Sequence, residues 1–74
     1  MRPVDLRRAL QKEPFRPFRL WVLEQTAYEV RHPEMVAVGF TTVQLTLRTG
    51  EQNGPVGERE FIISINLISK LELL

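Results

Sequence analysis

The chain has no cysteine, so neither a disulfide nor a thiolate metal site can staple it. That fits a cytoplasmic protein, and cytoplasmic is the expected location. No apolar run approaches the roughly 20 residues of a membrane-spanning helix. The opening residues, Met1 to Arg8, carry no apolar stretch after their first charge, so no signal peptide is expected. Histidine occurs once, at His32, and aspartate once, at Asp5. With Glu29 and Glu34, His32 offers only part of a zinc shell, because such sites take three or four protein ligands. It is read as a loop histidine in front of a proline. Gly50, Gly54 and Gly57 lack the following Lys-Ser/Thr and the helix start of a phosphate loop. Nucleophilic catalysis needs a base in reach of the nucleophile and a third group to orient it. Ser64 and Ser69 lie inside apolar strands as spacers, and Glu58 and Glu60 read as one strand's solvent face. No catalytic residue, metal ligand, cofactor or small-molecule substrate is therefore named, and a non-enzyme is expected.

What is present is a short, fairly apolar chain: 74 residues, 43% of them hydrophobic. A single domain of this size buries only about 60% of its unfolded surface, so its core is marginal. A compact barrel, or self-association, is the economical way to bury more. The net charge of +1 hides a segregation. Residues 1–19 hold six cations and two acids, whereas residues 20–74 hold four cations and seven acids. Such asymmetry marks a basic face that meets anions, or two complementary faces that meet each other; a solvated, Arg-rich helix surface is the plainer alternative.

The spacing predicts a helix over residues 3–12. Pro3 suits the first helical position, and Asp5 in the first turn and Lys12 in the last suit the helix dipole. Leu6, Ala9 and Leu10 form a narrow apolar stripe that must dock on something. Pro14 stops the helix. Pro17 then sends the chain extended into a strand over residues 18–23, with Phe18, Leu20 and Val22 on one face and Arg19, Trp21 and Leu23 on the other. A turn over Glu24-Gln25-Thr26 leads to a strand over residues 27–31, with Tyr28 and Val30 inward. His32-Pro33-Glu34 interrupts the pairing, since proline cannot donate to a ladder. Residues 35–40 resume with Val36, Val38 and Phe40 in phase, and Gly39 suggests a bulge or bend. Residues 42–49 alternate cleanly. Residues 50–57 are dense in turn formers and read as a mobile hairpin loop. Residues 59–65 form the next strand, apolar on both faces at Phe61-Ile62-Ile63. Ile65-Asn66-Leu67 reads as a 3₁₀ turn before a last strand over residues 68–73; a helix over residues 65–73 is the rival, since Ile65, Ile68 and Leu71 also fit i+3 spacing.

One helix followed by about five short antiparallel strands predicts a mainly β fold: an N-terminal helix on a small five-stranded SH3-like barrel of the Sm-like kind. Closure removes exposed strand edges.

Three phrases carry a resemblance: Pro14-Phe15-Arg16-Pro17-Phe18-Arg19-Leu20, then Tyr28-x-Val30-Arg31-His32-Pro33-Glu34, then the closing Ile68 to Leu74. Together they resemble a family of small uncharacterised bacterial proteins over roughly residues 14–74. Where that family has an Asp-Gly turn this chain has Gln25-Thr26, so the geometry of the first turn is not carried over. The resemblance implies no activity. At fold level the chain is also similar to Sm-like RNA-binding proteins, but their RNA-binding motifs are not matched. No Asp-x-x-x-Asn follows the second strand, and Ile65-Asn66-Leu67-Ile68 stands where an Arg-Gly precedes the last strand. A shared fold alone does not transfer a function.

Two functional expectations follow. The first is an interaction module that self-associates through an exposed strand edge, with Arg59–Ile65 favoured and Trp21, Leu23 and Ile62 as candidate interface residues. The second is sequence-nonspecific RNA or DNA binding by Arg7, Arg8, Lys12, Arg16 and Arg19, with Trp21 or Phe15 as a stacking group. Phe15 under the helix and Phe18 in the core would remove those two rings from any such surface. Head-to-tail contact between the basic segment and the acidic body of a second copy is a further possibility.

Overall fold

The computed structural model describes residues 1–49 and 57–74. The turn-rich stretch 50–56, the bulk of the expected mobile loop, lies outside the described residues. Helix α1 runs Pro3–Leu10. Pro3 occupies its start, Arg2 reaches Asp5 across the first turn at 3.5 Å, and the last helical bond runs from the Gln11 N–H to the Arg7 carbonyl. The helix is thus shorter than the expected 3–12. Gln11 is already the capping residue, and the chain must then leave the helical region ahead of Pro14. Of the apolar stripe, Leu6 is fully buried, and Ala9 and Leu10 are half-buried.

Six strands follow: β1 Phe18–Val22, β2 Thr26–Val30, β3 Val36–Val38, β4 Thr42–Thr49, β5 Gly57–Ser64 and β6 Ile68–Leu73. They form two antiparallel three-stranded sheets, ordered β2-β1-β6 and β3-β4-β5. Among the described residues no ladder joins one sheet to the other. The expected count of five is corrected to six. Pro33 has no N–H to donate and opens a 3₁₀ turn over Pro33–Met35, so the chain leaves the first sheet at Val30 and enters the second at Val36. A second 3₁₀ turn, Ile65–Leu67, returns it from β5 to β6. That turn and strand settle the rival helix over residues 65–73 against it.

The inward residues are those the alternation selects. Phe18, Leu20, Val30, Val36, Val43, Leu45, Ile65 and Ile68 form one buried cluster with Leu6 of α1. Each fully buried side chain of this kind is worth about 1.5–3 kcal/mol relative to exposure. Cross-strand register builds the cluster: Phe18 opposes Val30, Leu20 opposes both Tyr28 and Leu71, and Leu45 opposes Val36 and Phe61. Phe15 packs at its margin, half-buried, with its ring 5.9 Å from that of Phe18.

Two local expectations fail. Phe40 does not continue the inward phase; it is 90% exposed. β3 ends at Val38, and the chain reverses through Gly39–Thr42, where the Gly39 N–H bonds the Thr42 carbonyl at 2.9 Å. A Cβ on Gly39 would stand 3.2 Å from that carbonyl oxygen, so the reversal is tight rather than a bulge within a strand. The first hairpin turns one residue earlier than expected. Leu23 and Glu24 both adopt left-handed backbone, φ 54° and 57°, and the Gln25 N–H closes onto the Val22 carbonyl at 3.1 Å. Consecutive left-handed residues match the right-handed twist of a hairpin, though neither is a type that favours the conformation.

Candidate functional site

The outward face of β1 carries a connected polar network, with three of the ion pairs among the described residues. Strand alternation places Arg19 and Trp21 there, at the centre of the β2-β1-β6 sheet, with Glu29 on one side and Glu72 and Lys70 on the other. Arg19 lies 3.7 Å from Glu29 and 3.4 Å from Glu72. Arg31 meets Glu29 from the far side at 3.2 Å. The Trp21 Nε1–H donates to Glu72 Oε1 at 3.1 Å, and the Lys70 ammonium stands 5.0 Å from the centre of the indole ring. The Ser69 hydroxyl donates to the Trp21 carbonyl at 3.1 Å and accepts the Glu24 N–H at 3.0 Å, which ties the first hairpin to β6. The Trp21 indole N–H, and then the Arg19 guanidinium, hold the Glu72 carboxyl below the usual carboxylate range, against the desolvation that pushes it up. This surface is satisfied within the chain, so Arg19 and Trp21 present less to a partner than their strand position suggests.

The remaining cations divide. The Arg16 Nε–H donates to the Leu74 carbonyl at 3.0 Å. Arg7, Arg8 and Lys12 are exposed and have no ion pair among the described residues. Arg8 on α1 and Lys12, two residues past its last residue, line one cavity, whereas Arg7 is rotated about 100° from Arg8, as helical geometry requires. The five cations expected to act together are thus distributed over the helix, the linker and the outside of the first sheet.

The three candidate interface residues also separate. Trp21 lies on the outer face of the first sheet and Ile62 on the outer face of the second, opposite Gln44. Ile62 is 75% exposed and sits on β5, an edge strand whose described hydrogen-bonded neighbour is β4 alone. Leu23, 58% exposed, lies at the tip of the first hairpin, where its N–H bonds the carbonyl of Leu67, itself exposed, at 2.9 Å. Sequence reasoning missed Phe40 as a surface residue, since it read as in phase with Val36 and Val38, and it did not single out Leu67, which it placed in the 3₁₀ turn. It also missed Glu72 and Lys70 as partners of Trp21, because the pairing of β1 with the last strand is a long-range fact.

His32 is exposed at the start of the first 3₁₀ turn, on the rim of an open cavity of about 600 Å³ that Glu29, Arg31, Glu34, Met35 and Leu47 also line. Among the described residues no three His, Asp or Glu side chains converge as a metal site. A second cavity of about 620 Å³ lies between α1 and β6. No described helix is long and apolar enough to cross a membrane. Comparison with family models, with curated proteins and with solved structures gives no match.

Proposed function

We propose that this chain is a cytoplasmic, non-enzymatic interaction module of the small SH3-like, Sm-like barrel type, which self-associates through the β5 edge. The observation that carries this is Ile62. A large aliphatic side chain stands three-quarters exposed in the middle of an eight-residue edge strand. Long edges with exposed apolar residues are templates for pairing with another chain. Phe61 on the inward face and Ile62 on the outward face account for the two-sided apolarity of this strand. Covering Ile62 with a second copy would add the burial that a core of this size lacks.

The test is the mass of the full chain in solution, by sedimentation at high micromolar concentration, beside Ile62→Glu. An oligomer that becomes a monomer in Ile62→Glu supports the proposal. A monomeric wild type, or an oligomer indifferent to Ile62→Glu, refutes it.

A second reading, weak RNA or DNA binding, is favoured by Arg7, Arg8 and Lys12, exposed cations with no described acidic partner. Its signature is affinity that falls steeply with salt, through counterion release, and is lost in Arg7→Glu with Arg8→Glu. No binding to single-stranded oligonucleotides at low salt would refute it.

A further inference from the structure

The cavity between α1 and β6 is a groove with a distinct chemistry. Its apolar lining comes from Met1, Ala9, Leu71 and Leu73, and Arg8 of α1 and Lys12, just past the helix end, line it as well. Its one acid, Asp5, is engaged by Arg2 at 3.5 Å. One side of the groove is an open strand edge, and the register fixes which backbone groups face it. The Leu74 N–H bonds the Pro17 carbonyl at 3.0 Å, and the same pairing sets Glu72 against Arg19 and Lys70 against Trp21. In an antiparallel ladder alternate residues turn both backbone groups to one neighbour. Residues 70, 72 and 74 therefore bond β1, and Leu71 and Leu73 turn their N–H and C=O groups outward. β6 is the end strand of its sheet, with β1 as its described neighbour.

We propose that this groove binds an extended peptide segment of another protein, with apolar and acidic residues two apart on the same face, as a strand added to β6. Leu71 and Leu73 supply main-chain hydrogen bonds to the added strand. Successive side chains of a strand point to opposite faces, so the face turned to the groove carries both kinds: its apolar side chains pack on Ala9, Leu71 and Leu73, and its carboxylates, two residues on, meet Arg8 and Lys12 in charge-assisted hydrogen bonds. Charge selects the acidic class: two cations without a described partner flank the edge, and the one acid is already neutralised. An open groove bounded by a free edge suits an extended chain better than a compact ligand, which draws its affinity from enclosure on most sides. This site lies on β6 and α1, away from Ile62, and stands whether or not the β5 edge self-associates.

The probe is a fluorescein-labelled, end-blocked octapeptide, Val-Thr-Glu-Thr-Val-Thr-Glu-Thr, titrated into the full chain by anisotropy. Backbone amide exchange is followed by NMR in the same sample. Saturation is expected to slow exchange of the Leu71 and Leu73 amides about tenfold or more and to leave the free edges of β2 and β5 unchanged. Arg8→Glu with Lys12→Glu should weaken binding about tenfold, the equivalent of roughly 1.4 kcal/mol. Leu73→Pro should do the same while the chain stays folded, because the proline removes an N–H that faces outward rather than into the β1 ladder. If Leu73→Pro unfolds the chain, amide exchange in the unaltered chain decides. Ile62→Glu should bind the peptide as the wild type does. Absence of binding at millimolar peptide, equal binding of the same octapeptide with Lys in place of Glu, or protection at an edge other than β6 overturns the proposal. So does dissociation of a wild-type oligomer by the peptide, which would make the natural occupant a second copy of this chain. Displacement by a short single-stranded DNA with matching protection at Leu71 and Leu73 would assign the groove to nucleic acid and overturn it as well.

Discussion

Replacing Leu23 with Asn and Glu24 with Gly should stabilise the protein, and the size of the gain follows from the first hairpin. Both residues hold left-handed backbone, with φ near +55°. For a residue with a Cβ that conformation costs roughly 1–2 kcal/mol. Glycine removes the cost but loses about 0.5–1 kcal/mol of chain entropy on folding, so Glu24→Gly nets about 0.5–1 kcal/mol. Asparagine visits the left-handed region through local hydrogen bonds, and Leu23→Asn should recover about another 0.5 kcal/mol. Little opposes these gains. Leu23 is 58% exposed, and Glu24 is exposed and in no described ion pair. The bonds that tie the turn down, Leu23 N–H to Leu67, Glu24 N–H to Ser69 and Gln25 N–H to Val22, use the backbone of the turn and survive both changes. For a domain of this length about 1–1.5 kcal/mol raises the melting temperature by about 4–12 °C. Thermal unfolding followed by circular dichroism measures it, with Gln25→Gly as control. Gln25 does not share the positive φ. There glycine should only cost entropy, about 0.5–1 kcal/mol. A double variant no more stable than the wild type, or a stabilising Gln25→Gly, would refute the placement of the left-handed pair at residues 23 and 24.

Two phenylalanines that look alike in the sequence should behave oppositely. Phe18→Ala, at a fully buried site, should cost about 3–5 kcal/mol, much of the stability of a domain this small, whereas Phe40→Ala at the exposed reversal should stay within about 0.5 kcal/mol; urea titration separates them. Glu72 should make stability depend on acid. Its folded carboxyl titrates below the unfolded one, so its contribution is fully present above the ordinary carboxylate range and is lost as pH falls through the depressed folded value. Glu72→Gln should flatten that part of the pH profile, and emission of the single tryptophan, which Glu72 holds directly, should no longer change over the same interval.

Pro14 and Pro17, which open the two Pro-Phe-Arg units, were legible as a joint. The helix ends ahead of Pro14, β1 begins after Pro17, and Phe18 lies in the core. The strand over residues 42–49 and the 3₁₀ turn at Ile65-Asn66-Leu67 were equally legible, because alternation and a short break in it are local signals. Phe40 was misread for the same reason: period alone cannot tell where a strand stops, and here a reversal at Gly39 stops it. The candidate surfaces were the least legible. Arg19 and Trp21 sit on the outer face of β1, as alternation requires, but their partners lie about fifty residues away on β6.

The existence of the helix and strands, most inward positions and the excess of cations near the N-terminus were legible in the chain. Those properties rest on spacing, proline geometry and charge counts, which are local. Which cations lack an ion pair, and which strands have one neighbour, among the described residues follows from the packed fold. Sheet order set β1 between β2 and β6, which quenches Arg19 against Glu29 and Glu72, ties Trp21 to Glu72 and turns the backbone N–H and C=O groups of Leu71 and Leu73 to the open side of β6, along the groove that Arg8 and Lys12 line. Pairing between strands distant in the chain is set by the packing of the whole core, and short-range pattern carries no record of it.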